Sequence, residues 1–152
     1  MRRLFLSFAL ALALCAVGAS SALAAAPEGA QKAPLYGPEA ANGFSCEAGV
    51  FPTPKTFGFV VLNTPGNEAT VSGEIALKGA APNTEYIGVF VDQSTGPLCT
   101  PSATGTSITT NKKGNGNLHF SVERVPSATK FWVGMTSASG SETIGSSSVE
   151  LD

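Results

Sequence analysis

A chain of 152 residues has room for one domain, and its 9 basic and 11 acidic residues leave a formal net charge of −2. Nucleic acids bind through clustered cations that release counterions, and such a cluster is missing, so a nucleic-acid ligand is disfavoured. The same lack argues against a polybasic patch that holds the chain to a membrane surface.

The first predicted element is an export signal over residues 1–24. Arg2 and Arg3 form a positive n-region, the apolar run from Leu4 to Val17 is broken only by Ser7, and Ala22-Leu23-Ala24 has the A-x-A form of a cleavage site. A spanning helix needs about 20 apolar residues; this run is shorter and ends in Gly18, Ser20 and Ser21. Leu14 before Cys15 argues against a lipid anchor, and Pro27 against cleavage after Ala26. The expected product is secreted, extracellular or held in the cell envelope, with no membrane attachment after cleavage. Loss of Arg2 and Arg3 leaves 7 basic and 11 acidic residues, a net charge of −4, with Lys112-Lys113 the one adjacent basic pair.

Residues 25–55 are predicted as a flexible Ala/Pro-rich segment ahead of a β domain over 56–152. Phe44 and Cys46 mark where this segment docks. Cys46 and Cys99 are an even pair in an exported chain, which predicts a disulfide. The loop between them is worth about 4 kcal/mol in the chain-entropy model. A zinc site or thiolate nucleophile has few helpers, because there is no C-x-x-C spacing and His119 is the sole histidine.

From Thr56 onward strands alternate with turns. Phe57, Phe59 and Val61 are predicted on one face of the first strand, with Gly58 and Val60 on the other, and Thr64–Asn67 supplies a turn. Val71, Gly73, Ile75 and Leu77 then alternate with Ser72, Glu74, Ala76 and Lys78, the period of a half-buried strand. Glu85–Asp92 is apolar on both faces, which predicts a central strand or one covered on both sides. A long polar loop over Gln93–Gly105 follows, then a short Thr-rich strand around Ile108. Asn111–Asn117 is a glycine and asparagine turn. It leads to a strand with Leu118, Phe120 and Val122 inward and His119, Ser121 and Glu123 outward. Phe131, Val133 and Met135 share one face of the next strand, with Trp132 opposite. After a turn over Ser137–Thr143, the chain closes with Val149 and Leu151 inward. Seven short strands in about 100 residues predict an all-β, antiparallel, two-sheet sandwich.

The run Asn111-x-x-Gly114-x-Gly116-Asn117-x-x-Phe120, with Val125-Pro126 and then Phe131-Trp132-Val133, resembles a segment of immunoglobulin-like and prealbumin-like extracellular modules. The likeness covers about 25 residues and implies a seven-stranded immunoglobulin-like sandwich. It departs from those modules at Ser127-Ala128, where they commonly have glycine, and it carries over no active site, since such folds host many functions.

No catalytic, cofactor-binding or metal constellation is legible. Zinc needs three or four ligands, calcium needs clustered acidic oxygens, and Glu74, Glu85 and Asp92 are scattered. There is no G-x-S-x-G elbow, and Gly114-x-Gly116 lacks the lysine and helix of a phosphate loop. The candidate binding surface is Tyr86, Trp132 and His119, with the second-face aromatics covered by the 93–105 loop or open to a partner. The expected function is a secreted, non-catalytic module that binds a protein or carbohydrate. One rival is a small enzyme built on His119 and Glu123. The other is an inhibitor or effector acting through the 93–105 loop, stiffened by Pro97, Pro101 and Cys99.

Overall fold

The computed structural model describes residues 29–37, 43–65 and 69–151. The predicted export signal, residues 1–24, lies outside them. The described residues contain no helix and twelve strands. In chain order these are β1 (Ala30–Tyr36), β2 (Phe44–Ser45), β3 (Gly49–Val50), β4 (Thr56–Asn63), β5 (Thr70–Leu77) and β6 (Glu85–Ser94). Then come β7 (Cys99–Ala103), β8 (Ile108–Thr109), β9 (Gly116–Glu123), β10 (Lys130–Ser137), β11 (Thr143–Ser146) and β12 (Val149–Glu150). Ten of them form one antiparallel sheet in the order β7-β6-β10-β11-β1-β4-β5-β9, with β8 on β6 and β12 on β10. β2 and β3 form a separate hairpin.

The sheet curls until it nearly closes on itself. Phe57, Leu35, Leu62, Ile75, Tyr86, Phe131 and Met135 fill the interior, all essentially inaccessible to solvent. The open seam lies between the path's two ends, β7 and β9, and one side chain spans it. The buried Gln93 donates from Nε2 to Ser102 Oγ on β7 (2.8 Å) and to the Glu123 carbonyl on β9 (2.7 Å). Its Oε1 accepts the Val125 N–H at 2.7 Å. A glutamine amide thus stands in for the missing ladder, keeping buried backbone groups paired. At the other end of the seam, Asn111 organises the β8–β9 turn, its Oδ1 accepting the N–H groups of Lys113 and Asn115.

The period-two reading holds for β5, β9 and β10. Val71, Ile75 and Leu77 are buried, and Gly73 leaves room for the Phe120 ring from the neighbouring strand. It fails in β4, and in both β4 and β6 a bulge at a glycine inserts an extra residue. Gly58 sits at φ +106 beside the Ala76 carbonyl, and the β1–β4 register shifts between Pro34 and Tyr36. Phe57 therefore shares the inner face with Val60 and Leu62, while Phe59 and Val61, expected on the same face as Phe57, are only half-buried. Gly88, at φ +60, does the same in β6, where the β10 register shifts between Gly134 and Thr136. A bulge adds one residue on one strand and so reverses every side chain beyond it.

Two further expectations are corrected. Ala30–Tyr36, expected within a flexible segment, is a strand between β11 and β4 and puts Ala33 and Leu35 into the core. Its Pro34 adjoins the register shift, where sheets tolerate proline. The predicted 93–105 loop is largely a hairpin, because β6 runs on to Ser94 and pairs with β7. Ser127 takes φ +66, the left-handed conformation that glycine adopts freely.

Candidate functional site

Beyond the Gly88 bulge, β6 turns Phe90 and Asp92 outward while Val89, Val91 and Gln93 face the core. Asp92 is the direct cross-strand partner of Trp132 on β10 and of Pro101 on β7, so these three side chains stand in one row on the outer face. The next row is Phe90, Gly134 and Gly145, with Tyr36 beyond. The two glycines make a floor without side chains. A Cβ on Gly134 would collide with the Phe90 ring, and one on Gly145 with Val50.

The β2–β3 hairpin covers this floor. Val50 packs on Trp132, and the Phe44 ring lies 5.4 Å from Trp132 at a tilt of 43°. Phe90 meets the same indole edge-on at 5.4 Å. The Cys46–Cys99 disulfide ties the hairpin to β7, with Cα atoms 5.1 Å apart. On its other side the Ser148 N–H donates to the Ala48 carbonyl (2.9 Å), and Gly49 bridges to Ser147. Trp132 is thereby buried to 3 % exposure, covered by this hairpin and not by the 93–105 segment. The disulfide's expected partners are correct.

Between hairpin and sheet lies a cavity of about 330 Å³ with an almost wholly apolar lining, Thr143 and the half-open Phe44 among its residues. Asp92, at 4 % exposure, and Trp132, at 3 %, are the buried polar side chains of that lining, and Thr143 is its exposed one. Asp92 Oδ1 and Trp132 Nε1 have no hydrogen-bond partner among the described residues. Burial pushes the Asp92 carboxyl above its ordinary range, and the backbone N–H groups of Gln93 and Thr100 pull it partly back. A wider groove of about 700 Å³ runs past Thr70, Glu123 and Arg124. Its Arg124 guanidinium is already engaged with the Ala128 and Leu151 carbonyls and lies over the Phe131 ring.

The residues singled out in the sequence do not form one surface. Tyr86 faces the core at 0 % exposure; its hydroxyl donates to Glu142 and accepts the Ala81 N–H at 3.2 Å. Burial and the Glu142 carboxylate hold its phenol above the usual range. His119 stands on the solvent side of β9, and its Nε2 lies 3.6 Å from Glu74 across the strand, not beside Glu123. Trp132 alone reaches the cavity. The sequence offers Asp92 as one of several scattered carboxylates, and the signal it carries there is that of a lone acid ending the apolar run Tyr86–Val91. No group of three or more metal-ligating side chains occurs among the described residues. No protein-family model matches the chain, and no curated protein or solved structure matches it either.

Proposed function

We propose that the chain is an exported, non-catalytic binding module that takes its ligand into the cavity under the β2–β3 hairpin, at or outside the cell envelope. The observation that carries this reading is the cavity itself: apolar, walled by Phe44, Phe90 and Trp132, and floored by two glycines. Ligand sites are characteristically concave, largely apolar and provided with a few placed polar groups. Such a lining suits an apolar-bodied ligand better than a carbohydrate, whose hydroxyls need many polar partners. The disulfide supports export, because such bonds persist in oxidising compartments. As architecture we favour an immunoglobulin-like sandwich, with β7-β6-β10-β11 and β1-β4-β5-β9 as its two halves over one core.

Trp132 is the sole tryptophan, so its fluorescence reports on this site alone. A neutral naphthalene probe such as N-phenyl-1-naphthylamine should quench Trp132 saturably in the purified protein. Thr143→Phe, at an exposed position on the cavity wall, should abolish the quenching without changing the thermal midpoint. Quenching that persists in Thr143→Phe places the probe elsewhere and removes the reading.

A further inference from the structure

We propose that the ligand is a small amine with an apolar body, its ammonium group on Asp92 Oδ1 and a neighbouring acceptor oxygen on Trp132 Nε1. This rests on the binding-site reading above and gives it a chemical class.

Besides the exposed Thr143, the cavity lining holds two side chains with a buried polar atom, Asp92 and Trp132. Indole N–H is a donor only, and an ionised carboxylate is an acceptor only. Both side chains are more than nine-tenths buried and both atoms unpartnered among the described residues, in a lining whose remaining side chains are apolar apart from Thr143. An anionic ligand would set like charge against Asp92 at low dielectric. A neutral apolar ligand would cover the carboxylate and return nothing for its lost hydration. A cation that donates a hydrogen bond does return it, and charge-assisted bonds are the strong ones. The Phe44, Phe90 and Trp132 rings around the site favour the same sign of charge, since their faces attract cations.

The spacing narrows the class further. Asp92 and Trp132 are directly opposed in the β6–β10 ladder, which sets their Cβ atoms roughly 5 Å apart. This adjacency suits a ligand that carries its donor and acceptor close together, as in an amino alcohol or an amino ether. The cavity of about 330 Å³ corresponds to roughly ten water volumes at about 30 Å³ each, room for an aromatic or branched aliphatic body. The ammonium sits where burial has already raised the proton affinity of Asp92, and a bound cation would reverse that effect.

The test compares three probes that share one ring system: 2-naphthylmethylamine, 2-naphthylmethanol and 2-naphthoate, titrated against Trp132 fluorescence and by calorimetry. At neutral pH the amine should bind about tenfold tighter than the alcohol, and the carboxylate should not bind. Amine affinity should fall as acid protonates Asp92, while alcohol affinity stays flat. Asp92→Asn should bring the amine-to-alcohol ratio to about one. The wild-type ratio and its pH dependence need no variant, so a misfolded Asp92→Asn would not spare the proposal. Equal binding of amine and alcohol by the wild type overturns the amine class and leaves the cavity as a binding site. A preference for the amine that survives in a folded Asp92→Asn does the same. Absence of binding by all three probes overturns the class and the site together.

Discussion

On the inner face of β6, Gln93 uses both amide protons and its carbonyl oxygen, and one residue earlier, on the outer face, Asp92 keeps an oxygen without a partner. Both side chains are buried, and both belong to a strand paired on each side. The inner polar group completes the sheet. The outer one sits under a hairpin that touches the sheet by side-chain packing, a few hydrogen bonds and one disulfide. A buried polar group with its partners in place is part of the fold, whereas one without them in an apolar cavity points to a missing partner. The contrast separates what the fold needs from what it holds available.

The disulfide gives the largest expected effect on that contrast. Replacing Cys46 and Cys99 together by serine should cost about 4 kcal/mol in the chain-entropy model for a 53-residue separation. It should also red-shift Trp132 emission as the hairpin lifts from the indole. The inner core should survive, so the far-ultraviolet spectrum should keep its β form at low temperature. Unshifted emission would mean that packing alone holds the hairpin down. Next in size is Gln93→Leu, which keeps apolar bulk but strands the Glu123 carbonyl, the Val125 N–H and the Ser102 hydroxyl. A loss of about 3 kcal/mol is expected from these bonds, read from the urea midpoint at unchanged m-value. A loss near zero would show that the seam closes without the glutamine.

Much of the inner face was legible because strict alternation survives wherever no extra residue intervenes. Val71–Leu77, Leu118–Val122 and Phe131–Met135 read correctly for that reason, as did the Asn111–Asn117 turn and the cysteine pair. The misreadings trace to two glycines. Gly58 and Gly88 look like ordinary small residues in a strand, yet each takes a positive φ at a bulge and changes the face of its neighbours. Tyr86 and Asp92 are six residues apart, so simple parity puts them on one face; the bulge separates them, and the candidate surface built on Tyr86 dissolves. β1 was missed because Ala, Gln, Lys and Pro carry little strand signal, and its place was set by the flanking β4 and β11. The cavity was illegible for a deeper reason. It needs the β2–β3 hairpin folded back over a face assembled from β6, β10 and β11, far along the chain, and no local pattern encodes that contact.

The smallest effect bears most directly on the outer face. Burial raises the Asp92 carboxyl above its unfolded value of 3.8, against the lowering pull of two backbone N–H groups. The folded protein therefore holds that proton more tightly than the unfolded chain does. The stability linked to the neutral carboxyl is complete below the unfolded value and is lost as pH rises through the folded one. Asp92→Asn keeps the shape and a carbonyl oxygen for the backbone donors while removing the charge. It should flatten the decline of stability with rising pH across that window. At neutral pH it should leave the protein somewhat more stable than the wild type, by less than either loss above. Urea midpoints for both proteins between about pH 4 and about pH 7 measure this directly. If the two curves run parallel, water already reaches the carboxylate through the mouth beside Phe44. Asp92 would then be as well served as Gln93, and the two faces of β6 would no longer differ in kind.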